Sequence, residues 1–474
     1  MLTIFSIAQI QIRTITPKQL DSLLPEFVSI LSSVKPKTVQ VKFLVHNNDH
    51  PSDTTPYYKK FLQGTEIPVT YGIKDGTVKS TTSFIYWTFQ LAVPNATELG
   101  IRLSNINLSE DAQVYLINNN NTLLAGPLQK DKFNWLKTQH IPLEIKTTEK
   151  VTLIIKEPKL NKKELVSSLT ITRLYADNTG NANTISAFQS SFTGCMPNIT
   201  CFPEKAQISR AVARMRISNG GYWGGGTGTL ISNELGNGRA YFLTAKHCLD
   251  LNNDGSIDSY EINQLSFAEF RFRHWIVGCS GSSPEPGINF FGAQIVAQLS
   301  SSDMILLELT NPPGIGDDVT YAGWNRGSTL PSETGSFVAH HASLEDMKGA
   351  KTRNVNHWMW DATKWSVFYQ YGDQGAATVK GSSGSALLNE YNQIVGTLQQ
   401  GQVNCGNQSL GDQFEKLEHF WIPAVAQALS PNNLYSIPGI QTYNMEILGD
   451  EYIPCSGTVT YSVPNFIGCT FTWT

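Results

Sequence analysis

The chain has 474 residues, 41% hydrophobic and 16% charged, with a net charge of -4 at neutral pH. That is enough apolar surface for two or three packed domains, which excludes a peptide hormone or a disordered tail. The acidic balance and the lack of a long Lys/Arg run argue against nucleic acid or an anionic membrane as partner, and no apolar run reaches bilayer length.

The opening stretch 1–14, MLTIFSIAQIQIRT, has the apolar core of a signal peptide without its leading basic residues and reads as a signal remnant; an apolar first strand is the alternative. Residues 15–175 read as an antiparallel sandwich of moderate size. A Leu-rich helical stretch, Leu20 to Val34, is followed by alternating segments at Ile85 to Val93, Gly100 to Leu108, Ala112 to Ile117 and Lys150 to Glu157, separated by turn-rich pieces. This part contains no cysteine and no cluster of convergent polar groups. Ala176 to Gly194, rich in Asn, Ser, Thr and Gly, is a linker.

From Cys195 to Pro438 come short β-branched strands with Gly-rich turns, as in a β-barrel domain. YFLTAKHC ends on His247, an imidazole at the end of a buried strand. An acidic loop follows at once. Asp250, Asn252, Asp254, Ser256 through its carbonyl, Asp258 and Glu261 fall at the ligand positions of an EF-hand loop, with Gly255 at the sharp turn. Mutual repulsion among these carboxylates would be reversed by Ca²⁺, so structural calcium is expected, although a strand end and short turn replace the usual entering helix. A solvated acidic turn is the alternative.

Further along, Asp303 in SSDMILLEL precedes a core strand, where burial suits a carboxylate that fixes an imidazole tautomer. VKGSSGSALL, Val379 to Leu388, is the strongest signal. Its glycines let the backbone turn sharply, so that the amides of Gly381 and Ser383 can converge on one oxyanion while Ser383 supplies the nucleophile. The spacing of Leu417 to Leu429 predicts a closing helix. The tail, 439–474, holds two strand-like segments and resembles the opening of an immunoglobulin-like repeat, as if the chain were cut short.

Taken in the order His, Asp, Ser, the blocks LTAKHC, SSDMILLEL and GSSGSALL resemble those of trypsin-like serine proteases, most closely the bacterial lysyl endopeptidases. The resemblance runs from about Cys195 to Leu429. It implies an all-β protein with a chymotrypsin-like double β-barrel, preceded by a prosegment and acting as a secreted serine endopeptidase on peptides and proteins. It also implies the triad His247, Asp303 and Ser383, and a pocket with Asp412 at its base and Gln399, Gly401 and Trp358 (or Trp360) beside it. Asp412 favours Lys, with Arg the alternative; Gln399 replaces the family's pocket histidine and weakens a lysine-only claim.

The resemblance pairs Cys195 with Cys405 and Cys201 with Cys279. It leaves Cys248 free, because Gly226 occupies its partner's place, while Cys455 and Cys469 are candidates for a pair in the tail. Such bridges imply an extracellular compartment. Ser382 stands where trypsin has an aspartate, so a freed N-terminus finds no carboxylate there and the prosegment must act differently. Its release is expected within the linker, where no basic residue offers self-cleavage; Arg173 is the nearest upstream. No cofactor is expected for catalysis. The rival reading is a silent protease-fold binding protein.

Overall fold

The computed structural model describes residues 12–441 except 26, 28–29, 31–33, 35, 41–60, 97, 119–122, 130–137, 145–149, 160–163, 178–195, 282–284, 286, 315–316, 371–377 and 402–410. Strands dominate, helices are few and short, and the strands close into barrels, as expected of an all-β chymotrypsin-like fold with an added β unit.

The N-terminal part is a sandwich. One sheet is built around Phe84–Ala92, Gln113–Asn118, Leu123–Gln129 and Lys150–Pro158, and the other around Phe61–Tyr71, Glu98–Asn107, Thr138–Glu144 and Ser168–Asp177. Side-chain alternation divides the strands' residues between two cores. Trp87, Phe89, Leu153 and Ile155 face Leu99, Ile101 and Leu174 of the second sheet. Tyr86, Tyr115 and Ile154 face outward, where Leu20, Leu24 and Phe27 cover them. The helix carrying Leu20, Pro17–Leu23, is started by a capping box between Thr16 and Gln19. Ile12–Thr14, within the stretch read as a signal remnant, pairs as an edge strand with Leu123–Gln129; residues 1–11 lie outside the described residues.

The remainder forms two barrels. In the first, Val212–Ser218 pairs with Tyr222–Ile231 and Glu269–Phe272, and Tyr241–Ala245 with Met304–Leu309; Ile288–Phe291 and Ala293–Gln298 complete the ring. In the second, Phe337–His340, Lys348–His357, Lys364–Tyr369, Asp412–Lys416, Ile394–Gln400 and Ala386–Leu388 close on themselves.

Three sequence boundaries shift. Ala176 and Asp177, assigned to the linker, continue the strand Ser168–Asp177 because their backbone still pairs with Leu99 and Glu98. Ser436–Gln441 runs past Pro438 because it pairs with Tyr321–Asn325. The closing helix is only Pro423–Leu429. Proline lacks the amide that a preceding turn would need, so it sits at the first helical position, and Leu417 to Phe420 fold as turns.

The sandwich and the first barrel share a sheet. Phe61–Tyr71 pairs on one edge with Ser168–Asp177 and on the other with Tyr222–Ile231, in register Thr65 to Tyr222 and Phe61 to Gly225.

Candidate active site

His247 lies on a short turn, Lys246–Cys248, at the end of the strand Tyr241–Ala245. Asp303 stands just before the neighbouring strand Met304–Leu309. Their pairing follows from that register: His247 Nδ1 lies 2.7 Å from Asp303 Oδ2, and the His247 amide donates to Oδ1 at 2.9 Å. Both side chains are buried. Burial disfavours the imidazolium, but the Asp303 carboxylate, and Cys248 beside it, outweigh burial and raise the His247 pKa to about 10.

Behind the pair stands a carboxylate that sequence reasoning missed. Glu415 Oε2 accepts the Asp303 amide at 2.7 Å and Oε1 lies 2.7 Å from His419 Nδ1. The His419 contact is helix-like in spacing and could have been read from the sequence; the contact with Asp303 spans 112 positions and could not.

Ser383 sits on a turn between Val379 and Ser385, with Gly381 at φ 92° and Gly384 at φ 82°. The amides of Ser382, Gly384 and Ser385 are taken by Val379 O, Leu398 O and Ser382 O. Those of Gly381 and Ser383 have no acceptor among the described residues, which is what donors to an oxyanion require. The Ser383 and His247 loops meet at Gly226: a Cβ there would lie 2.6 Å from both Cys248 Sγ and Ser383 O. Cys248 is the free cysteine expected and lies 3.8 Å from His247 Nε2. Ser383 Oγ itself is buried and has no hydrogen-bond partner among the described residues, so the serine–imidazole link is not formed in this state.

Asp412 is buried at the start of the strand Asp412–Lys416, where Tyr369 and Thr378 donate to its Oδ2. Thr378 begins the segment leading into the Ser383 turn. Gln399 follows Leu398, whose amide donates to Ser385 O, and its buried Oε1 has no partner. Gly401 lies just beyond it, at the edge of the described residues. Trp358 lies on the connection between Lys348–His357 and Lys364–Tyr369, with its ring against the exposed Trp360 at 4.9 Å.

In the acidic loop the carboxylates serve the chain itself. Asp250 accepts the amides of Asp254 and Gly255, Glu261 those of Leu251, Asn252 and Asp258, and Asp258 caps the helix Ser259–Leu265. Asp258 and Glu261 form a capping box, a signal present in the sequence but not read there. Among the described residues no three His, Cys, Asp or Glu side chains converge as a metal cluster. Cys201 and Cys279 form the expected disulfide; Cys195, Cys405, Cys455 and Cys469 lie outside the described residues.

Residues 190–415 match the family model described as lysyl endopeptidase, C-terminal domain. Together with the paired barrels, this match supports a protease domain of the lysyl endopeptidase type. Among the described residues no helix is long and apolar enough to cross a membrane.

Proposed function

We propose that the chain is a secreted serine endopeptidase that cleaves after Lys, with Arg as the secondary choice. Ser383 Oγ attacks the carbonyl carbon while His247 Nε2 takes its proton, and Asp303 holds the imidazole with its Nδ1 proton inward. The amides of Gly381 and Ser383 stabilise the oxyanion. The intermediate collapses to an acyl-enzyme as His247 returns the proton to the leaving amine, and water then releases the acid by the same steps in reverse.

One observation carries this reading: the paired Asp303 and His247 lie beside a serine turn whose two oxyanion amides are free. The buried Asp412, reached through Thr378 from the same turn, supports a cationic side chain before the scissile bond. Family likeness and the disulfide support an extracellular setting. Calcium at Asp250, Asn252, Asp254, Ser256, Asp258 and Glu261 belongs to the same proposal and rests on donor spacing alone, since the loop already holds its shape by its own amides.

The unlinked Ser383 Oγ favours a second reading, a silent protease-fold binding protein. Fluorophosphonate labelling separates the two. The peptidase reading expects covalent labelling that Ser383→Ala abolishes, together with release of peptides ending in Lys; an unlabelled protein overturns it.

A further inference from the structure

The sandwich meets the first barrel through buried charges. Glu98, on the sandwich strand Glu98–Asn107, accepts from Arg216 Nη1 at 2.9 Å and Nη2 at 2.6 Å. Arg216 also bonds Glu269, and donates to Tyr175 OH at 3.0 Å. Arg214, two residues earlier on the same barrel strand, shares Glu269 at 3.3 Å and lies 4.0 Å from Glu98. All four charged side chains are buried. The sandwich therefore does hold convergent polar groups, contrary to the sequence expectation. Its contribution is electrostatic: without Glu98, two buried guanidinium groups share Glu269.

Arg214 connects this cluster to the oxyanion turn. Its Nη1 donates to Leu344 O at 3.1 Å and lies 3.2 Å from His274 Nε2, which must be the acceptor because a guanidinium only donates. Ser343 and Leu344 both hold left-handed backbone, φ 53° and 57°, a conformation that persists only where the surroundings impose it. In that conformation the Ser343 amide donates to Lys380 O at 2.8 Å. The His341 amide donates to Thr227 Oγ1, which donates in turn to Gly381 O at 2.9 Å. A peptide unit is planar, so fixing the Lys380 carbonyl fixes the direction of the Gly381 N–H on its opposite side.

We infer that Glu98 and Arg214 are positioning residues: the sandwich carboxylate, acting through Arg214 and the strained turn at Ser343 and Leu344, sets the amide that Gly381 offers to the oxyanion. This rests on the proposed peptidase activity. It gives the sandwich the task that Ser382, lacking a carboxylate, cannot share with a freed N-terminus. It also means that the sandwich stays seated on the barrel during turnover, whether or not the linker is cut.

The test compares full-length Glu98→Gln, Glu98→Asp and Arg214→Lys with Glu66→Gln. Glu66 is a control from the same interface: its carboxylate pairs with Arg102, Arg173 and Ser218, and not with Arg214 or Arg216. Assays run well below each variant's unfolding midpoint. Glu98→Gln should lower kcat on a Lys-amide substrate by roughly ten- to a hundredfold at nearly constant KM, short of the effect of losing a whole oxyanion donor. Arg214→Lys should do the same, Glu98→Asp should recover part of the loss, and Glu66→Gln should keep its kcat. Unchanged kcat in Glu98→Gln, or equal losses in Glu98→Gln and Glu66→Gln, would overturn the inference while leaving a labelled, active parent enzyme as proof that the peptidase reading stands. An inactive, unlabelled parent would instead remove that reading.

Discussion

Asp303→Asn tests the base and its orientation together. The two carboxylate oxygens have different duties, Oδ1 on the His247 amide at 2.9 Å and Oδ2 on Nδ1 at 2.7 Å. A backbone amide can only donate, so an asparagine keeps its carbonyl there and turns its NH₂ towards Nδ1. Nδ1 must then accept, the ring proton moves to Nε2, and His247 cannot receive the serine proton. In trypsin-like enzymes a tautomer trapped this way lowers kcat by about ten thousandfold, roughly 5 kcal/mol of transition-state stabilisation. The same change removes the charge that raises the imidazole. By NMR the His247 titration should fall well below about 10, because Cys248 is then left to oppose burial without the carboxylate.

Stability should follow with a definite sign. The folded pKa of His247 lies above its ordinary value of 6.5, so the pair's contribution is complete below pH 6.5 and is lost as the pH rises through about 10. Thermal midpoints of the parent should decline across that window and those of Asp303→Asn should decline less. Over the same range the parent's kcat/KM should rise as the imidazolium deprotonates. A variant that keeps the parent's turnover, or whose imidazole still titrates near 10, would refute the reasoning.

Other outcomes are equally definite. Asp412→Asn should reduce kcat/KM for Lys substrates by about a hundredfold, roughly 3 kcal/mol, with a smaller loss on neutral side chains; a uniform loss measured over a peptide library would remove Asp412 from the pocket. Gly384→Ala puts a Cβ 2.3 Å from Thr227 O and Thr244 Oγ1 at a left-handed φ, so it should abolish fluorophosphonate labelling and lower the unfolding midpoint; ordinary labelling would mean that the turn relaxes without moving Ser383. If calcium binds the acidic loop, saturation a hundredfold above its Kd should add about 2.7 kcal/mol to stability, and Glu261→Gln should blunt that gain; identical melting with calcium and with chelator would remove the site.

Local chemistry explains why so much was legible. Alternation reports which face of a strand is buried, so the segments at Ile85 to Val93 and Lys150 to Glu157 emerged within a residue or two of Phe84–Ala92 and Lys150–Pro158. The serine turn announced itself because two glycines at positive φ are a backbone requirement written directly in residue types. His247 and Asp303 were identifiable as candidates because each ends or begins a buried strand.

What the chain alone could not state is partnership between distant charges. Glu98 and Arg216 stand 118 positions apart, Glu415 and Asp303 112, and nothing in the residues around a carboxylate names the guanidinium or amide it will meet. Periodicity determined the β architecture, and short local motifs the serine turn and the triad candidates, since these depend on neighbours in sequence. Only tertiary packing decided that the sandwich lends a strand and a buried carboxylate to the barrel, because desolvated charges accept whichever partner the closing sheets bring within reach.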